Sequence, residues 1–177
     1  MIYIRRPTLH DLNECAQLDA SYTTTKVWQM NLQPASNQFR VQFNLVHLPR
    51  PMTIATPLEE RDLTKAWQRG DGIYAARRVN KILGYIHMAI QPQDKIGYIH
   101  RHVVAPDSRQ QGVGTALLAR AIEWGRERHL RSFEIALSTK NHPAIAFYLS
   151  QGFTFTGFSE RLWGRQEIVM HFSRVVR

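Results

Sequence analysis

Gly112 and Gly114, one residue apart, sit between an apolar run that stops at Pro106 and a helical pattern that starts at Val113. That order builds a strand, a tight loop and a helix start. Backbone N–H groups in a first helical turn lack intrahelical partners, converge on one place and carry partial positive charge. Such a loop can seat a phosphate or pyrophosphate. The candidate holders are the backbone N–H groups of Gln110, Gln111, Gly112, Val113, Gly114 and Thr115. The two glycines let the backbone approach a ligand closely, because no Cβ intervenes. Arg109 adds a charge and a phosphate contact. The plain alternative is a glycine-rich turn with a helix cap. The lysine-bearing loop G-x-x-x-x-G-K-[ST] does not match, and G-x-G-x-x-G fails because Ala116 and Leu117 follow Gly114 and Thr115.

Other residue types narrow the chemistry further. His100 and His102 lie two apart in a strand pattern and would share a face in a regular strand. An imidazole with a reference pKa near ~6.5 can accept a proton at neutral pH. Both can equally be surface or core histidines. His10, His47, His87, His129, His142 and His171 show no metal-ligand spacing, and there is a single cysteine, so no metal site is expected. No G-x-S-x-G elbow for a Ser-His-Asp hydrolase is present.

The elements that must position these residues read as follows. Residues 2–6 form a strand. Thr8 caps a helix that carries Leu9, Leu12, Cys15, Ala16 and Leu18 on one side and ends near Ala20, with Asp11 in the place of the capping-box Glu. Phe39 to Val46 alternates like a strand with one wet face, and Pro49 and Pro51 end it. Thr56-Pro57 opens a helix that stops at Gly70. Ile73 to Val79 and Ile82 to Ile90 make a hairpin around Asn80-Lys81, and Lys95 to Val104 is a further strand. A helix over Val113 to Arg128, a strand over Phe133 to Leu137 and a helix over Asn141 to Gln151 follow. Phe153 to Phe158 and Glu167 to Phe172 form a final antiparallel pair. The order is mixed α/β with one helix-crossed connection, and no repeat or linker divides residues 1–177, so a single domain is expected.

Composition excludes several classes. The 44% hydrophobic and 21% charged content is that of a globular chain. No apolar run reaches the ~20 residues of a membrane helix, and the start lacks the order of a signal peptide. The lone Cys15 excludes an internal disulfide, fits a reducing cytoplasm and reads as buried filler. The net charge of +9, from 23 basic and 14 acidic residues, suits either an anionic cofactor or nucleic acid. No run of five basic residues supports the second.

Arg109, Gly112 and Gly114 spell R-x-x-G-x-G. With Val104-Ala105-Pro106 before it, Leu117-Leu118 after it and the segment Asn141-His142-Pro143-Ala144-Ile145-Ala146-Phe147-Tyr148-Leu149-Ser150-Gln151-Gly152-Phe153, the chain resembles the GNAT superfamily of acyl-CoA-dependent N-acetyltransferases. The likeness is close from about Tyr98 to Phe158 and weak between Ser21 and Thr56. It implies a mostly antiparallel sheet of about six to seven strands, flanked by about four helices, with a parallel splayed pair at the cofactor cleft.

It also implies acetyl-CoA as cofactor, with its pyrophosphate on the 109–115 loop, and direct attack by a primary amine in a ternary complex. The thioester carbonyl would be met by a backbone N–H around Val103 and Val104, which a β-bulge there would expose. Asn141 matches the residue that bonds the pantetheine arm, and it can also be only the N-cap of its helix. Tyr148 matches the acid that protonates the leaving thiolate, with Phe147 as core. His100 stands where many members carry a glutamate base; His102 is the lesser candidate, and water alone can serve. The acceptor groove would draw on Tyr22, Trp28, Phe43, Arg161 and Trp163. The acceptor itself stays open between a small amine, an antibiotic of the streptothricin kind and a protein N-terminus. A non-catalytic acyl-CoA-binding or nucleic-acid-associated or ribosome-associated module is the alternative, and a homodimer is compatible with the superfamily.

Overall fold

The computed structural model describes residues 2–55, 63–79, 81–160 and 167–176. The chain divides into two compact units. The first comprises Met1–Ala20, Thr56–Ile135 and Ser173–Arg177, and the second Ser21–Ala55 and Ala136–Phe172. Seven strands are hydrogen-bonded in the order β1-β4-β5-β6-β7-β9-β8, and β2 and β3 form a separate ribbon. The strand β7 (Ser132–Ser138) and the strand β9 (Val169–Val175) each run through both units. This is the mixed α/β architecture that the resemblance implies.

In the first unit, β1 (Tyr3–Arg5) pairs antiparallel with β4 (Gly72–Arg78), β4 with β5 (Lys81–Gln91), and β5 with β6 (Ile96–Val104). Then β6 and β7 pair in parallel, as expected, over Ile96↔Ser132, Gly97↔Phe133 and Tyr98↔Glu134, while β6 runs on to Val104. The crossover between them is the helix α3 (Val113–Glu127), which buries Leu117, Leu118, Ala121 and Trp124. Adjacent strand residues point to opposite faces. Tyr74 accordingly meets Arg120 of α3, while Ile73 and Ala75 join Leu12 and Cys15 of α1 (Leu9–Ala16) and Leu63 and Ala66 of α2 (Leu63–Gln68). Cys15 is buried there, as filler should be.

Helix α1 carries the capping box that its sequence spells. The Thr8 hydroxyl accepts the Asp11 N–H, and the Asp11 carboxylate accepts the Thr8 N–H at 2.8 Å. Asp11 is 1% exposed and is held by Arg5 at 2.8 Å and by Arg77. Burial alone would raise its pKa. The hydrogen bonds from Thr8 and the two guanidinium groups win, so the carboxyl titrates below its usual range. The helix ends at Ala16 rather than near Ala20. The expected start of α2 at Thr56-Pro57 and the Asn80 turn residue lie outside the described residues.

Phe133 shows how closely this unit is built. Its ring lies where a Cβ on Gly97 would come within 2.4 Å of it, and a Cβ on Gly125 within 2.6 Å. Two glycines, one on β6 and one on α3, thus form a slot for one fully buried ring.

The second unit holds a feature that the sequence reading only half found. The alternating run is part of β3 (Gln38–Ile54, 17 residues), and its partner β2 (Tyr22–Ala35) has 14 residues. Pro49 and Pro51 do not end the strand. The register passes from Lys26↔His47 to Thr24↔Met52, so residues 48–51 sit in a wide bulge where no ladder N–H is required. The ribbon is two-faced. Trp28, Met30, Leu32 and Pro34 face Leu45, Phe43, Val41 and Phe39, and the alternate positions are Gln, Asn and Arg. The unit is completed by α4 (His142–Ser150), by β8 (Thr154–Ser159) and by the shared strands β7 and β9.

Candidate functional site

The loop that opens α3 has the geometry that its glycines suggest. A short 3-10 turn, Pro106–Ser108, leads from β6 into it. Gln110 adopts φ 58° and Gly112 φ 80°, both left-handed. Gly112 is the N-cap of α3, makes no side-chain cap, and has nothing within 4 Å of where a Cβ would stand. The helix start thus carries no side-chain cap, and its first-turn N–H groups have no intrahelical acceptor. Gln110, Gln111, Gly112 and Thr115 are exposed, Gly114 is half-buried, and Val113 is buried. The loop is held from outside. Gln111 donates its amide to the Asp107 carbonyl at 2.8 Å, and Asp107 pairs with Lys81.

The Arg109 guanidinium is engaged within the chain. Its Nε donates to the Val104 carbonyl at 3.0 Å, and its Nη2 reaches the Asp19 carbonyl at 3.4 Å. It braces the loop against the end of β6. Val103 and Val104 pair regularly with Tyr85 and Gly84. The bulge expected at this pair lies instead at His100, where the β5–β6 register jumps from His87↔Arg101 to Met88↔Ile99.

That bulge also separates the two histidines. His100 is exposed and leans on His87, with ring centroids 5.2 Å apart, and on Tyr98, at 6.3 Å. His102 turns instead to the first turn of α3, where it hydrogen-bonds the Gly114 backbone. Burial lowers its pKa to about 4, and the Gly114 bond opposes this only in part. His102 is therefore neutral at physiological pH and ties β6 to the glycine loop.

Behind His100 stand two residues that the sequence reading did not single out for a role. His87, 1% exposed, bonds through Nε2 to Asp71 Oδ2 at 2.8 Å, and Arg69 reaches the same carboxylate oxygen at 2.9 Å. The available signal was a histidine inside an apolar strand, Ile86-His87-Met88. Tyr98 is pushed up to about 12 by its hydrogen bond to Glu134 and by burial.

Asn141 and Tyr148 belong to the second unit. Asn141 caps α4, its Oδ1 accepting the Ala144 N–H at 3.1 Å. Tyr148 is 2% exposed, with edge-on contacts to Phe147 at 5.2 Å and to Phe153 at 4.9 Å. Burial raises its phenol well above the usual range, so it keeps its proton at any physiological pH. Of the groove candidates, Trp28 lies 6.2 Å from the His142 ring, and Phe43 lies between Phe155 and Phe158. Tyr22 hydrogen-bonds Ser138, and burial pushes it up to about 12. Arg161 and Trp163 lie outside the described residues. Among the described residues no group of three or more His, Cys, Asp or Glu could hold a metal ion. No helix among them is long and apolar enough to cross a membrane.

Comparison with known proteins gives one consistent picture. The family described as "Acetyltransferase (GNAT) family" matches residues 42–153. Streptothricin acetyltransferase A of Bacillus subtilis (strain 168) is 44% identical over 50 residues, 28% of this chain and 29% of that protein. The crystal structure of nourseothricin acetyltransferase superposes with a TM-score of 0.84 at 23% identity, covering 99% of both chains. A Bacillus anthracis str. Ames protein assigned as a streptothricin acetyltransferase, solved with acetyl coenzyme A, gives 0.83 at 22% identity, covering 100% of this chain and 99% of that one. These two likenesses establish the fold. The chain spans from 26% to 58% of the length of curated relatives that it matches.

Proposed function

Because the chain belongs to the GNAT acetyltransferase family, a family of enzymes that use acetyl-CoA, we propose that it transfers the acetyl group of acetyl-CoA to a primary amine, by direct attack in a ternary complex. The observation that carries this reading is the Gly112 N-cap: a left-handed helix start with no side-chain cap, at a residue where a Cβ would meet nothing within 4 Å. That cradle fits a pyrophosphate, since the helix end supplies donors and partial positive charge with no side chain in the way. Bound there, acetyl-CoA supplies an activated acyl group on sulfur.

The chain's own residues take the other roles. Backbone N–H groups from Gln110 to Thr115 hold the pyrophosphate, and Arg109 keeps their loop on β6. Asn141 orients the pantetheine arm through its amide nitrogen, its Oδ1 being engaged in the α4 cap. His100, exposed on the β6 bulge, accepts the proton of the amine. Tyr148 holds at Oη the proton that the departing sulfur needs. Relatives named as streptothricin acetyltransferases support an amine of that antibiotic class as the first acceptor to test.

The decisive experiment is calorimetric titration with acetyl-CoA, followed by an acetyl-transfer assay on streptothricin and on a panel of small amines and peptides. Micromolar binding that Gly112→Glu abolishes, with transfer to at least one amine, supports the reading. Failure of the wild type to bind acetyl-CoA overturns it.

A further inference from the structure

The Asp71–His87 pair has no evident structural task. A buried imidazole in an apolar strand loses solvation, which an aliphatic side chain at the same place would not. Yet His87 is buried and points Nε2 at a carboxylate 2.8 Å away, with its ring against His100. The β6 bulge brings this about, because it places His100 as the extra residue opposite the His87–Met88 step. Asp71 itself stands where α2 returns to the sheet, its N–H bound to the Ala66 carbonyl at 3.1 Å.

We propose that Asp71 and His87 are positioning residues for the amine-accepting base, orienting the His100 ring and favouring its protonated form. The proposal rests on the reading of His100 as base. With the carboxylate on Nε2, the proton of a neutral His87 resides on Nε2 and its lone pair on Nδ1. In that neutral form His87 is a fixed polar wall beside His100 rather than a competing cation. When the acceptor amine gives its proton to His100, the new positive charge forms one ring away from the Asp71 carboxylate. Among the described residues, the charged and titratable groups around this centre include Arg69 and Asp71 before β4, His87 on β5, Tyr98 on β6 with Glu134 of β7 behind it, and Arg101 of β6, which pairs across with His87 and bonds Tyr85. Asp94, in the turn before β6, adds its charge to that of Glu134 on Tyr98. Arg69 offsets part of the Asp71 charge, so the effect on His100 is a fraction of that of a bare carboxylate.

Histidine ring NMR on the full-length protein tests this without any acceptor, with His100→Gln used to identify the His100 signal. Asp71→Asn keeps the side-chain shape and an accepting oxygen. It is expected to lower the titration midpoint of His100 by ~0.5 unit or more, about threefold in proton affinity, with acetyl-CoA affinity unchanged. Asp71→Glu is expected to restore part of that shift. His87→Gln serves as the second variant and is expected to change the midpoint as well. A His100 midpoint that stays within about 0.1 unit in both Asp71→Asn and His87→Gln overturns the coupling. With streptothricin or another confirmed acceptor, the acid limb of the pH profile for kcat/KM is expected to move with the midpoint. Full turnover by His100→Gln would overturn the base reading and, with it, the catalytic task of the pair, while the NMR coupling would still be measured independently.

Discussion

At the scale of single residues, the β6 bulge at His100 decides more than any motif. Two histidines at positions 100 and 102 promise a shared face, yet one extra residue in the strand turns His100 to His87 and His102 to Gly114. Their pH behaviour therefore separates. The folded-state pKa of His102 lies near 4, below the unfolded value of about 6.5, so the unfolded chain binds the proton more readily between these values. Stability is then intact above about pH 6.5 and is lost progressively as the pH falls toward 4, by up to ~3 kcal/mol from this residue. His142, lowered by burial and by Lys26 and His47, adds in the same direction. Asp11 loses its contribution only below about pH 3.8, so the two windows do not merge. Urea denaturation at a series of pH values should show this slope, and His102→Gln should flatten it between pH 6.5 and 4. A slope unchanged in that variant would remove His102 as its source. Tyr148 gives a second residue-scale prediction. Tyr148→Phe keeps the buried ring and its contacts to Phe147 and Phe153. It should leave acetyl-CoA affinity within about twofold in calorimetry while lowering kcat by ~10²-fold or more. Retention of full kcat would show that the phenol is core only.

At the scale of elements, the parts that were legible in the sequence are those whose signals are local. The Thr8–Asp11 box, the glycine loop, α3 with its Leu117-Leu118 stripe and α4 with Asn141 as cap are each fixed by residues within a few positions of one another. What was not legible depends on partners distant in the chain. The strand β2 has few β-branched residues beyond Tyr22–Val27 and becomes a strand because β3 pairs with it along its whole length. The prolines of β3 are tolerated because the bulge falls on them. His87 gains a role only where residues of four separate segments meet. The ribbon yields a prediction of its own. Its apolar face is covered near the base, where Phe43 meets Phe155 and Phe158, and is bare toward the tip, where Phe39 is 82% exposed. Phe39→Ser should change stability by no more than ~0.5 kcal/mol. Phe43→Ala loses two edge-on aromatic pairs as well as apolar packing, and should cost ~2 kcal/mol or more in chemical denaturation. Tightness is the opposite case at the Phe133 slot. Gly97→Ala puts a methyl where the ring already stands and should destabilise by ~1–3 kcal/mol, with the loss recovered in part by Phe133→Leu. An unaltered midpoint in Gly97→Ala would mean that the Phe133 ring shifts to admit the methyl at little cost.

At the scale of the whole molecule, charge bears on the question that site geometry leaves open, the acceptor. The chain carries +9, and residues 21–55 contain no aspartate or glutamate at all. Many of the carboxylates in the described residues are already engaged: Asp11 with Arg5 and Arg77, Asp71 with Arg69 and His87, Asp107 with Lys81, Glu127 with Arg120 and Arg128, and Glu167 with Ser138 and Lys140. Long-range fields act on encounter rates and are screened over ~10 Å at 0.1 M salt. An anionic cofactor should therefore associate fastest at low salt, its on-rate in stopped flow falling severalfold between about 20 and 200 mM. A polycationic acceptor such as streptothricin should show the reverse, with kcat/KM at saturating acetyl-CoA rising as salt screens the repulsion. An acceptor that presents its amine on a neutral or acidic body should lose rate with salt, as the cofactor does. The sign of that slope, measured on whichever amines are acetylated, separates the two classes by the field of the protein alone. A polycation whose rate falls with added salt would instead demand an acidic groove strong enough to reverse the net charge locally. Asp19, Glu59, Glu60 and Asp62 are the candidates for one. Glu59→Gln, Glu60→Gln and Asp62→Asn combined should then weaken the effect, and a slope that survives them unchanged would exclude those three carboxylates as its source.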